Sequence, residues 1–264
     1  MKYFRSTLLI LILVVISIQY SYADVGIIVA SNTNLESLKK DLEIKETNKK
    51  AGRVFYSGKL KGKGVVLVRS PMGKVNNAIT SQVLLSSFTV SSVVSIAPAG
   101  AIQEDINIGD AVVAREVYQH DFGTIKPYGF VWGRVPDGTG WDEPGCNRLD
   151  VFLTSLALST ARDVCEQQSK VIEGVVVTGD QFVSSQEKNE WLSNKFGAAA
   201  VDMGAAAISQ VCFANQTPVC ILRIITDKAR INARTDFEKA IPSLKTGIDI
   251  VRFVKGIVQG IPDK

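Results

Sequence analysis

Four short segments of this sequence carry the side chains that could do chemistry. Arg223-Ile224-Ile225-Thr226-Asp227 runs from an apolar stretch into a hydroxyl and a carboxylate. Val177-Thr178-Gly179-Asp180-Gln181-Phe182 leaves another apolar stretch and presents one aromatic ring. Ser95-Ile96-Ala97-Pro98-Ala99-Gly100-Ala101 is made of residues small enough to let backbone N–H groups approach a ligand. Val201-Asp202-Met203-Gly204 lies between the second and first of these segments. Taken singly, each has a structural use: Thr-Asp caps helices, a loop Phe packs, and Ala-Gly makes a tight turn. Their order along one chain is what points to a site. His120 is the single histidine. A multi-His metal centre is therefore excluded, and a Ser-His-Asp triad would rest on that residue alone.

These segments sit at the ends of alternating strands and helices. Val25–Ala30, Val54–Leu60, Val65–Arg69, Ser92–Ile96, Asp110–Val117, Val171–Thr178, Ala199–Met203 and Val219–Ile225 read as strands. Lys61-Gly62-Lys63-Gly64 reads as a hairpin turn. Leu35–Leu42, Val75–Phe88, Leu149–Val164, Glu187–Phe196, Gly204–Phe213 and Phe237–Val258 read as helices, and 119–147 as a long functional loop. The alternation predicts an α/β sheet whose strand C-terminal ends carry the site.

The 264 residues are 46% apolar and 21% charged, an ordinary globular composition. Thirty Lys and Arg against 26 Asp and Glu leave a charge of +4 with no dense basic block, which disfavours a dedicated nucleic-acid binder. Lys2 and Arg5, the apolar run Leu8–Ile18 and Ser21-Tyr22-Ala23 form the three-part pattern of a secretory signal peptide. The expectation is a signal peptide over 1–23, one domain over 24–264, and a mature protein secreted or periplasmic and free of the membrane. In an oxidising compartment, Cys146, Cys165, Cys212 and Cys220 allow three full pairings or four buried thiols. Their spacing indicates neither zinc nor thioredoxin chemistry.

From Val25 to about Val258 the sequence resembles the nucleoside phosphorylase superfamily, specifically its methylthioadenosine/S-adenosylhomocysteine nucleosidases. The likeness is carried by Val25-Gly26-Ile27-Ile28, Gly73-Lys74-Val75, Ala97-Pro98-Ala99-Gly100-Ala101, Ile108-Gly109-Asp110, His120-Asp121 and Tyr128-Gly129-Phe130. It continues through Thr178-Gly179-Asp180-Gln181-Phe182, Val201-Asp202-Met203-Gly204 and Thr226-Asp227. The resemblance implies a single-domain three-layer α/β/α fold with a central mixed, partly barrel-like sheet. It also implies a homodimer, to which the Tyr128–Trp132 loop would contribute.

The chemistry implied is cleavage of a purine–ribose N-glycosidic bond, with a small purine nucleoside as ligand and no cofactor or metal. Asp227 matches the acid that protonates the leaving purine at N7, Phe182 the ring that stacks on the base, and Met203 the residue beneath the ribose. Arg223 and Thr226 match supports of the acid loop, and Pro98 and Gly100 belong to the turn beside it. Two positions depart from the pattern. Asn34 stands where the family has the glutamate that orients the attacking water, with Glu36 two residues on. Gly204 stands where a glutamate grips the ribose hydroxyls. Pro98 also removes a backbone donor. The base half of the site thus follows the family, and the ribose and water half departs from it.

Three readings follow: an exported purine nucleosidase with an altered ribose and water site, a catalytically degenerate nucleoside-binding or storage-type relative, and a purine nucleoside phosphorylase. The last needs a cationic phosphate site, for which Arg69, Lys74 and Arg115 are the candidates.

Overall fold

The structure is a computed structural model that describes residues 24–136, 138–143, 147–243 and 247–262. The signal-peptide segment and Cys146 lie outside the described residues. In chain order the elements are β1 (Asp24–Val29), α1 (Asn32–Asp41), β2 (Glu43–Lys50), β3 (Arg53–Leu60), β4 (Lys63–Arg69), α2 (Lys74–Ser87), β5 (Val90–Ala101), β6 (Ala111–Gln119), β7 (Gly123–Lys126) and β8 (Gly129–Trp132). They continue with α3 (Val151–Asp163), β9 (Val171–Thr178), α4 (Gln186–Phe196), β10 (Ala198–Asp202), α5 (Ala205–Ala214), β11 (Val219–Asp227), α6 (Ala233–Ser243) and α7 (Ile250–Gly260).

Nine strands form one mixed sheet in the order β10-β9-β6-β11-β5-β1-β4-β3-β2. β5 is long enough to serve two neighbourhoods. Its first part lies between β1 and β11, parallel to both, and its last residues pair antiparallel with β10 through Gly100↔Val201 and Ala101↔Ala200. That second pairing joins β10 back to β5 and closes half of the sheet into a barrel. The apolar runs of β1, β5 and β11 are buried because helices cover both sheet faces. α1, α3 and α7 pack on one face around Leu38, Ala157 and Phe253, and α2 and α5 on the other around Leu84 and Ile208. α7 shows why: Ile250, Phe253, Val254, Ile257 and Val258 recur at helical spacing and all are buried.

Four differences from the sequence reading have local causes. β2, Glu-Ile-Lys-Glu-Thr-Asn-Lys-Lys, lacks apolar alternation because it is an exposed edge strand, blunted by lysines. β5 extends through Pro98 because its pairing with β1 ends at Ile96, leaving room for a residue without an N–H. The 119–147 stretch contains the β7–β8 hairpin. The closing helix is two helices. Ile248 bridges to Cys165, Asp249 caps α7 by accepting from Arg252 N–H at 3.0 Å, and a Cβ on Gly247 would overlap Ser169 Oγ. Among the described residues Cys165, Cys212 and Cys220 are free thiols.

Candidate active site

Beyond Ile96 the chains of β1 and β5 part, and a cavity of about 360 Å³ opens between the C-terminal ends of β1, β5 and β11. This is where an open α/β sheet binds ligands, since the strand ends diverge there and loops supply polar groups. Asp227, Phe182, Met203, Arg223, Thr226, Pro98, Gly100 and Gly204 all border it.

Asp227 ends β11 and is 4% exposed. Its Oδ1 accepts the Ala229 N–H at 2.8 Å, and its Oδ2 lies 3.2 Å from Thr226 Oγ1. Burial raises its pKa above the ordinary carboxylate value against those two hydrogen bonds, and the nearby Asp236 charge adds to the rise. A raised pKa favours the protonated form that a proton donor needs. Gly100 lies opposite, in register with Asp227.

Arg223 makes its hydrogen bonds to residues other than Asp227. It is fully buried, and its Nε donates to Asp202 Oδ2 at 2.6 Å. Its Nη1 donates to the Leu222 carbonyl at 2.9 Å and reaches Ser95, while its Nη2 has no hydrogen-bond partner among the described residues. Arg223 lies four residues before Asp227 on β11, and a register shift between Ile225 and Asp227 interrupts the strand alternation between them. Asp202 also takes the Thr178 hydroxyl at 2.6 Å and the Ala205 N–H at 2.9 Å. Thr178 Oγ1 in turn accepts the Ala206 N–H at 2.9 Å. Together they satisfy the opening amides of α5, whose N-cap Gly204 has no side chain to do so.

Phe182 stands half-buried at the cavity edge, edge-on to Phe237 with ring centroids 5.6 Å apart, and the Arg234 guanidinium lies over its ring. Asn34 is not brought to the site. It sits buried in α1, its N–H held by Ser31 Oγ at 3.0 Å, while Ser31, Asn32 and Thr33 border the cavity. Glu36 points outward to an ion pair with Lys39 at 3.0 Å. Nor does Arg69, Lys74 or Arg115 border the cavity.

Lys74 is committed elsewhere. Its ammonium contacts Asp121 at 2.7 Å and Gln119 at 3.1 Å, and its N–H donates to Asp180 Oδ1 at 2.7 Å. Asp121 also accepts the Asp180 N–H at 2.8 Å. Burial opposes ionisation of Asp121, yet the Lys74 ammonium and the Asp180 N–H hold its pKa below the ordinary value. The Gly73-Lys74, His120-Asp121 and Gly179-Asp180 motifs are therefore one brace, in which Asp180 caps the start of α2.

The sequence reading missed Asn77, Asp202 and Phe237 as cavity residues. For Asn77 the only signal is an Asn pair in the first turn of a helix. Asp202 is visible as the carboxylate before Met203. Among the described residues no cluster of His, Cys, Asp and Glu could hold a metal ion.

The sequence pattern described as "Phosphorylase superfamily" matches residues 24–247. The 5'-methylthioadenosine/S-adenosylhomocysteine nucleosidase of Oceanobacillus iheyensis is 32% identical over 216 residues, covering 81% of this chain and 90% of that protein. The same-named nucleosidase of Neisseria meningitidis, solved in complex with methylthio-immucillin-A, is 29% identical with a TM-score of 0.78, covering 90% of this chain and 100% of that one. Futalosine hydrolase of Helicobacter pylori is 27% identical with a TM-score of 0.75, covering 91% and 99%.

Proposed function

We propose that this chain, which belongs to the phosphorylase superfamily, is a purine nucleosidase that hydrolyses the N-glycosidic bond of adenine nucleosides such as methylthioadenosine or S-adenosylhomocysteine. The observation that carries the reading is Asp227: a buried carboxyl with a raised pKa, at the end of β11, in a cavity edged by Phe182. In the reaction the C1′–N9 bond breaks and its electron pair leaves with the purine. Asp227 delivers its proton to N7, which neutralises the leaving base. Water adds to the oxacarbenium-like C1′, and the proton it sheds returns Asp227 to its acid form through solvent. Phe182 offers the base an aromatic face, and Met203 packs beneath the sugar.

The nucleophile side differs from the base side in kind. Asp202 and Asp227 are the carboxylates bordering the cavity among the described residues, and Asp202 is taken by Arg223, Thr178 and Ala205. Ser31, Asn32 and Thr33 supply hydrogen-bonding groups there that can hold a water but are not bases. General base help contributes about 10²–10⁴ in rate where it operates, so turnover below that of a fully equipped nucleosidase is expected.

Export rests on the 1–23 segment: intact mass of protein recovered outside the cytoplasm should begin at Asp24, and a mass retaining 1–23 would count against it. Homodimer formation rests on the apolar residues exposed on the β7–β8 hairpin, Ile125 and Tyr128 among them. Light scattering should give twice the chain mass.

The deciding experiment is incubation with methylthioadenosine, S-adenosylhomocysteine, adenosine, inosine and futalosine, each with and without phosphate, followed by detection of free base. Adenine release independent of phosphate is the expected result. Release only with phosphate would make the protein a phosphorylase. No release from any substrate, with adenine still bound, would make it a binding or storage-type relative.

A further inference from the structure

Gly204 and Asn77 share one volume at the cavity wall. A Cβ on Gly204 would lie 2.7 Å from Asn77 Nδ2, 2.8 Å from its Cγ and 3.0 Å from its Oδ1. The Gly204 φ of −155° lies outside the left-handed region that favours glycine. What reserves the position for glycine is therefore the neighbouring carboxamide. That carboxamide cannot swing away freely, because Nδ2 donates to the Gly73 carbonyl at 2.8 Å and to the Pro71 carbonyl at 3.3 Å. The two bonds use both N–H groups and fix which end is oxygen. Oδ1 accepts from no described residue, and Asn77 borders the cavity while only 8% exposed.

Its place relative to the acid follows from the sheet. Val201, Gly100 and Asp227 are in register across β10, β5 and β11. Gly204 lies just past the end of β10, and it, Asn77 and Asp227 line the same cavity. A purine held at N7 by Asp227 leaves its attached sugar to be met by other residues of that lining.

We propose that Asn77 is the specificity-determining residue for the sugar: its Oδ1 accepts a hydrogen bond from a ribose hydroxyl, in the space that a side chain at Gly204 would otherwise occupy. This rests on the nucleoside reading above. Asn77 and Gly204 are then one paired feature, in which the side chain reaching the sugar comes from α2 instead of the turn before α5.

The test compares KM for adenosine, 2′-deoxyadenosine and 3′-deoxyadenosine in wild type, Asn77→Ala, Gly204→Glu and the Asn77→Ala/Gly204→Glu double variant. Asn77→Ala should raise KM for adenosine by about fivefold to tenfold, the loss of one neutral hydrogen bond. KM for the deoxy compound that lacks the recognised hydroxyl should not move. Comparing each compound across variants cancels the intrinsic lability of deoxyribosides. Gly204→Glu should lower the melting temperature in the presence of Asn77. It should be tolerated in the double variant, where truncating Asn77 has vacated the space, a carboxylate now faces the sugar and discrimination returns. A change in KM that is equal for all three compounds would overturn the proposal and leave Asn77 as a brace for the 71–73 turn. So would equal tolerance of Gly204→Glu with and without Asn77. Should wild type release no base, the nucleosidase reading falls separately. Calorimetric binding of the same three nucleosides, with adenine as the base-only control, then decides the role of Asn77 by the same ratios.

Discussion

Gly100 and Asp227 face each other across paired strands so closely that a Cβ on Gly100 would lie 2.6 Å from Asp227 Oδ1 and 3.0 Å from the Ala229 Cβ. The acid is thus seated against bare backbone, and the Ala229 N–H that orients it sits on the same contact. Gly100→Ala should displace the carboxyl while leaving the buried strand in place. Misplacement of about 1 Å costs on the order of 10²-fold in rate. Steady-state kinetics with a circular dichroism control should show that loss without loss of fold; undiminished kcat/KM would mean the acid is not held where it matters.

Asp227→Asn tests the proton itself. It keeps an acceptor for Ala229 N–H and removes the dissociable proton, so kcat should fall by about 10²–10⁴ while adenine still binds. Stability should move the other way. The folded pKa of Asp227 is raised by burial, so its contribution to stability is complete below the unfolded value and lost as pH rises through the folded one. At neutral pH the asparagine variant, with no buried charge to accommodate, should melt at or above wild type. The gap should shrink on acidification toward pH ~4, the ordinary aspartate range. A variant that melts lower at pH 7 than at pH 4 relative to wild type would contradict the burial effect.

Much of this site is legible in residue order, and the reasons for success and failure differ by residue. β1, β5 and β11 announce themselves as apolar runs because both faces of the sheet are covered, and their ends carry Gly100 and Asp227. Phe182 and Met203 follow from their places after recognisable turns. Asn77 is illegible, because its importance lies in a contact with Gly204, 127 positions away in the chain. Lys74 reads as a free cation because a sequence does not show that Asp121, Gln119 and Asp180 converge on it. Arg223 is close to Asp227 in sequence, whereas its partner is Asp202 on a different strand. β2 escapes notice because an exposed edge strand needs no apolar pattern.

His120 gives an acid-side prediction. The imidazole is fully buried, both ring nitrogens lack partners among the described residues, and a Cβ on Gly179 would overlap Nε2. Burial first, then the nearby Lys188 and Lys74 charges, pushes its pKa down to about 4, against the opposing pull of Asp121. The unfolded chain binds a proton near pH 6.5 that the folded one refuses, so stability falls as pH drops from 6.5 toward 4. The full window corresponds to about 3 kcal/mol. Urea denaturation at pH 7 and pH 4.5 should show a drop in wild type that His120→Phe largely removes. An equal drop in both would place the acid sensitivity elsewhere.

The Asp202–Arg223 pair predicts the largest loss of stability. Both side chains are out of contact with solvent, and among the described residues their shared contact at 2.6 Å is the one ion pair that neutralises the guanidinium. Asp202→Ala would leave a charged Arg223 buried at the cavity wall with Nε and Nη2 both unpartnered, and would strip the Ala205 N–H and the Thr178 hydroxyl of their acceptor. Breaking a buried pair from one side costs about 3–5 kcal/mol, a large share of the ~5–15 kcal/mol that holds a domain folded. Removing both charges is a different matter, since an apolar replacement needs no counter-ion. Asp202→Ala/Arg223→Met should therefore be more stable than Asp202→Ala alone, although it carries one more substitution. Equilibrium urea unfolding of the two variants decides it: both lose the α5 cap, so a weaker double variant would mean that Arg223 stabilises the fold through Ser95 and the Leu222 carbonyl even without its counter-ion.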